Sequence, residues 1–177
     1  MIANGQDVIR LDIGSPDQPP APFIVEALYR SARDDTHHGY AGYFGTPQLR
    51  QAMADYYDRR FGVRLDPKTE VLPLIGSKEG IFNLAWAYVE AGDVVLVPDP
   101  GYPTYTAGAL LAGGEVVYVP LSAERDWRPD LEAIAPHALA RAKLMWLNYP
   151  NNPTTACATL EFFAQAVEFA RRHNVLL

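Results

Sequence analysis

At 177 residues, 49% apolar and 20% charged, the chain has an ordinary globular composition and enough length to enclose a core. Its net charge of −6 argues against nucleic acid as the partner, because phosphate binding needs a clustered basic face. Its longest uncharged runs, Pro100 to Gly114 and Leu144 to Leu160, are broken by Gly, Pro and Asn, so no membrane span is expected.

The first residues, Met1 to Asp7, carry neither a basic nor an apolar leader region. Val8 to Ile13 alternates loosely and ends at the turn signal Gly14-Ser15-Pro16-Asp17. Pro22 begins an expected helix to Arg33, with Ile24, Leu28 and Ala32 at helical spacing. Asp34-Asp35 reads as that helix's end. His37-His38 reads as part of a solvated loop, because no matching metal ligands follow. His37 to Gly45 is rich in Gly and Tyr. Thr46 then caps a second helix, with Pro47 at its first position, running to Phe61.

From Val71 the period changes. Strands are expected at Val71 to Ile75, Asp93 to Pro98, Glu115 to Pro120, Lys143 to Asn148 and Asn174 to Leu177. Helices are expected between them at Ser77 to Glu90, Tyr102 to Ala112, Pro129 to Ala138 and Thr159 to His173. The adjacent basic pairs Arg59-Arg60 and Arg171-Arg172 fall late in helices, where cations suit the dipole. Apolar strands alternating with helices imply an α/β fold, a mostly parallel sheet covered on both faces. Val175-Leu176-Leu177 has no turn residue after it and reads as the opening of a buried strand, so the chain is expected to be a fragment. Cys157 is the single cysteine, which rules out an internal disulfide and favours a reducing, cytoplasmic setting; it is expected to be a small core residue.

Three loops carry chemistry. Gly76-Ser77-Lys78-Glu79-Gly80 opens a helix after an expected strand, and free N–H groups at a helix start suit an anion. Taken alone, a Ser-capped helix is the stronger reading. Asp99-Pro100-Gly101-Tyr102-Pro103-Thr104-Tyr105 holds Tyr102 on a stiff turn, either to stack on a flat ligand or to cap the core. Trp146-Leu147-Asn148-Tyr149-Pro150-Asn151-Asn152-Pro153 follows a strand with three asparagines and two prolines; Asn152 is suited to donate to a phenolate, or the stretch is a plain turn. All three are expected on one rim of the sheet, where such folds bind ligands. Together they suit a phosphate, a flat ring and a phenolate, the three parts of pyridoxal 5′-phosphate (PLP).

On these motifs the chain resembles the PLP-dependent class I/II aminotransferases of fold type I. Val97 to Tyr105 and Leu147 to Thr154 look most like the LL-diaminopimelate aminotransferase branch. The resemblance implies an α-β-α three-layer fold, with residues 1–18 as an N-terminal arm or small-domain segment and 19–177 as the first part of a PLP-binding large domain. It implies Ser77 and Lys78 on the phosphate, Tyr102 stacked on the ring and Asn152 on the phenolic oxygen. It further implies Tyr40 reaching the phosphate across a homodimer, Gly14 near the substrate carboxylate, and a cis Asn152-Pro153 bond. Where the family has Asn-Pro-Thr-Gly, Thr155 here follows Thr154, so the loop is expected to bend differently or to be strained at that position.

The family's Schiff-base lysine has no counterpart among Lys68, Lys78 and Lys143, so no catalytic residue is assigned and this length alone is expected to be inactive. The leading reading is a transaminase acting on an amino acid and a 2-keto acid. The alternatives are a PLP-dependent lyase or decarboxylase of the same fold, or a non-catalytic PLP-binding regulatory domain.

Overall fold

The computed structural model describes residues 5, 7, 14 and 16–177, so the strand expected at Val8 to Ile13 lies outside the described residues. The chain divides into two compact units, Met1–Pro73 and Leu74–Leu177.

In the first unit, helix α1 spans Pro22–Ala32 and helix α2 spans Pro47–Phe61, each with proline in its first turn, where a missing N–H costs nothing. The Thr46 hydroxyl accepts the Leu49 N–H at 3.3 Å, and Gly62 closes α2 in the left-handed region at φ 67°. Arg59 and Arg60 lie in the last turn, as their dipole preference requires. Asp34 caps a one-turn 3₁₀ helix, Asp35–His37, by accepting the Thr36 N–H at 3.0 Å. The histidines are tied locally: a His37 ring nitrogen lies 2.9 Å from the Ser31 hydroxyl, and one of His38 lies 3.1 Å from the Ala32 carbonyl.

The second unit is a parallel sheet between helices. Strands β1 (Val94–Asp99), β2 (Glu115–Pro120) and β3 (Ala142–Met145) lie in the order β2-β1-β3. A further parallel bridge joins Leu176 to Leu144, with Leu176 N–H donating to Lys143 O at 2.9 Å and Leu176 O accepting from Met145 N–H at 2.8 Å. The central strand β1 is buried from Val94 to Pro98, and its alternation splits the core into two faces. Val95, Val97 and Leu144 pack with Ala85 and Val89 of the α3 region (α3 spans Ser77–Tyr88) and with Tyr105 and Ala109 of α4 (Pro103–Leu111). Val94, Leu96 and Met145 pack with Ala138 of α5 (Pro136–Leu139) and Phe169 of α6 (Leu160–His173). This is the expected α-β-α layering. The second basic pair, Arg171 and Arg172, also falls in a last helical turn, that of α6.

Several expected elements are corrected. Val71 to Ile75 forms no strand: Pro73 has no N–H to give a ladder, and the Ile75 N–H is taken by the Glu79 carboxylate at 2.7 Å. The helix expected over Pro129 to Ala138 is broken into a 3₁₀ turn, Leu131–Ala133, and the short α5, because Pro136 starts a helix but cannot continue one. The third helix stops at Tyr88, short of Glu90, and β3 stops at Met145, short of Asn148. Cys157 is exposed and not in the core.

Leu96 is fully buried at the centre of the sheet. Leu96→Ala is expected to lower stability by about 2–5 kcal/mol through lost transfer energy and a residual cavity, measured by urea unfolding. A loss well under 1 kcal/mol would contradict this core assignment.

Candidate functional site

Two of the three loops leave neighbouring parallel strands at the same end. The stretch from Pro100 to Tyr102 follows β1, and the stretch from Trp146 to Pro153 follows β3, so strand pairing alone brings them side by side. The Trp146 N–H donates to Leu96 O at 3.1 Å, extending the ladder one step past β3. The Trp146 ring lies on Tyr105, centroids 5.0 Å apart and planes within 11°. Tyr105 in turn meets Tyr102 edge-to-face at 5.8 Å. Each such pair adds about 0.5–1.5 kcal/mol beyond area burial. Burial raises the Tyr105 hydroxyl above the ordinary tyrosine range, and Tyr102 adds to the effect.

The turn carrying Tyr102 admits only glycine at 101, since a Cβ there would run into the Pro98 carbonyl oxygen. Pro103 opens α4 immediately afterwards. Tyr102 is half-buried.

The third loop begins α3. Gly76 is the residue before the helix, its backbone extended, and Ser77 is already the first helical residue, so the Ser-capped reading is corrected: no side chain caps this helix. The leading N–H groups of a helix have no intrahelical partners. Ser77 and Lys78 are exposed there, and the Lys78 ammonium lies 5.7 Å from the Tyr102 ring centroid. The helix start and the ring therefore share one place, although the strand expected before this loop is absent.

In the loop after β3, Asn152 is exposed and its amide bonds to no described residue. Its neighbour Asn151 is the opposite: it is 3% exposed, and its amide donates to the Thr154 hydroxyl at 2.9 Å and, at 3.5 Å, to Pro100 O. The backbone closes the same turn, Asn151 N–H to Ala156 O at 2.8 Å and Thr155 N–H to Asn151 O at 2.7 Å. The Asn152-Pro153 bond is cis, as expected, and so are Asp99-Pro100 and Tyr149-Pro150. Thr155 sits at φ 60°, a conformation disfavoured for a β-branched residue, where strain was expected. The Tyr149 hydroxyl donates to Trp127 O at 2.8 Å, and burial raises it above its ordinary range, offset in part by Arg128.

Ser77, Lys78, Tyr102 and Asn152 all lie in the second unit, while Tyr40 is fully exposed in the first and Gly14 is exposed in the first. Sequence reasoning missed Trp146, Tyr105 and Asn151. The two-residue step from Leu144 to Trp146 places both on one sheet face and was the available signal for the first. Asn151 carried none, because buried and exposed asparagines read alike in sequence.

The family model for aminotransferase class I and II matches residues 6–177. An LL-diaminopimelate aminotransferase of Dehalococcoides mccartyi strain 195 is 52% identical over 173 residues, covering 98% of this chain and 45% of that protein. One from Desulforudis audaxviator is 53% identical over 175 residues, covering 99% of this chain and 45% of that protein. Apo-BacF from Bacillus subtilis superposes with a TM-score of 0.93 at 44% identity, covering 99% of this chain and 44% of that one. The chain thus spans somewhat under half the length of the relatives it matches. No helix among the described residues is long and apolar enough to cross a membrane.

Thr155→Gly is expected to raise stability by up to about 1 kcal/mol, since a left-handed L-residue costs roughly 1–2 kcal/mol and glycine gives part of that back in entropy. Differential scanning calorimetry reads this as a raised Tm, and an unchanged or lowered Tm would count against strain at Thr155. In alkaline ultraviolet titration, Tyr105 and Tyr149 are expected to ionise above the ordinary tyrosine range. Because their folded values are raised, the stability they contribute is complete below about pH 10 and is lost as pH rises past it. Tyr149→Phe should remove one late-ionising hydroxyl from that titration; an unchanged profile would contradict the assignment.

Proposed function

We propose that this chain, which belongs to the class I and II aminotransferase family, forms the noncovalent seat of PLP in an enzyme that moves an amino group between an amino acid and a 2-keto acid. The observation that carries this reading is Lys78 poised 5.7 Å over the Tyr102 ring. It joins an anion-ready helix start to an aromatic ring. The donor set fits the group. Free N–H groups and the Ser77 hydroxyl suit a phosphate, the half-buried Tyr102 ring suits a pyridine ring, and the unengaged Asn152 amide suits a phenolic oxygen.

When bound, PLP supplies the electron sink for amino-group transfer. In this reading Ser77 and the first turn of α3 hold the phosphate, and the Lys78 charge offsets the anion. Tyr102, which meets the Tyr105–Trp146 stack edge-on, would take the pyridine ring. Asn152 donates to the phenolic oxygen and favours its ionised form. Gly14 takes the substrate carboxylate side and Tyr40 serves the phosphate of a second copy in a homodimer. The covalent tether is assigned to none of Lys68, Lys78 and Lys143. Lys143 is the second residue of β3, at the opposite end of the strand from the rim. The named relatives make LL-diaminopimelate the first amino donor to test. A single exposed cysteine suits a reducing, cytoplasmic setting.

Ser77→Ala in the protein carrying this chain tests the seat. A hydrogen bond to a charged group contributes about 1.5–3 kcal/mol, so PLP affinity should fall roughly tenfold or more in fluorescence titration. Unchanged affinity would overturn the assignment of the phosphate to this helix start.

A further inference from the structure

The buried Asn151 is left without a task by the seat just described, which engages its neighbour. Burying an amide is costly unless its donors and acceptor are satisfied, so its presence in a tight turn calls for a physical reason. Its contacts supply one. The side chain reaches forward to the Thr154 hydroxyl at 2.9 Å and across to Pro100 O at 3.5 Å, in the loop that carries Tyr102. Its own N–H and carbonyl pair with Ala156 O at 2.8 Å and Thr155 N–H at 2.7 Å. Asn151 therefore closes the 151–156 turn through backbone and side chain together. It ties that turn to the first residue after β1.

We infer that Asn151 is a positioning residue: it sets the height and direction of the Asn152 amide and locks that amide in register with the Tyr102 ring. This rests on the PLP-seat reading above. Two features make such a lock necessary. Thr155 stands at φ 60° where a glycine would sit without cost, so the turn does not hold this shape by backbone preference alone. Asn152 is exposed, and no hydrogen bond from another described residue fixes its amide. Aspartate at 151 would keep the size but lose the donors, and its charge would face the Pro100 carbonyl oxygen.

The test is a double-mutant cycle on PLP affinity in the protein carrying this chain, with Asn151→Ala, Asn152→Ala and the pair, read by fluorescence titration of the apoprotein. Apoprotein Tm is measured alongside. Asn151→Ala is expected to weaken PLP about tenfold, equivalent to roughly 1.4 kcal/mol. In the Asn152→Ala background it should add less than about threefold, because it acts through that amide. The visible absorption band of bound PLP should also shift its pH midpoint in the same direction in both single variants. Should Asn151→Ala fail to fold, Thr154→Val carries the same cycle, since it removes the 2.9 Å bond while keeping bulk. Fully additive losses, or a lowered Tm with affinity and band midpoint unchanged, would overturn the inference and leave Asn151 a purely structural residue. Failure of the unmodified protein to bind PLP at all would instead overturn the underlying functional reading.

Discussion

The pairing of β1 with β3 as neighbours in parallel is the constraint on which the candidate site depends. A parallel pair sends both chains out at the same edge, so the residues after Asp99 and after Met145 must share a rim whatever their side chains. Burial enforces the pairing. Val94 to Pro98 has no exposed face, and each alternate residue feeds one of two cores that require helices on both sides. A one-residue slip of β1 would exchange the two faces and move Tyr105 and Ala85 away from their partners. The rim is thus a consequence of core packing, and the loops inherit its precision.

Above that sheet, stiffness is supplied in layers. The Trp146–Tyr105 stack continues the core one step beyond β3, and Tyr102 leans edge-on against it. Gly101 permits a turn that any Cβ would block, so the ring position is sterically defined. In the facing loop the geometry is imposed by bonding instead, through Asn151 and the 151–156 turn, against the conformational preference of Thr155. Strain of this kind persists where the surroundings over-determine a residue, and such places cluster at functional sites. The two loops are held by different physical means, one steric and one hydrogen-bonded.

What was legible in the sequence was whatever local chemistry decides. The α2 helix was readable at both ends, because Thr46, Pro47 and Gly62 act within one turn of themselves. The strand Glu115–Pro120 and the α6 helix were readable from period, as was the three-layer order, since alternation of elements fixes which faces need cover. The motif residues Ser77, Lys78, Tyr102 and Asn152 could be named from their loops. Tertiary structure decided what depends on partners distant in the chain. Val71 to Ile75 looks like a strand to any periodicity argument, yet Pro73 and the Glu79 carboxylate take away the donors that a ladder needs. Cys157 looks apolar and small, yet the fold leaves it exposed. Asn151 and Asn152 are adjacent and chemically identical, and only packing tells them apart: one is enclosed against Thr154 and Pro100, the other is left facing solvent. Sequence specifies which groups a residue brings, whereas burial, set by the whole fold, determines whether those groups are spent on the protein or remain free for a ligand.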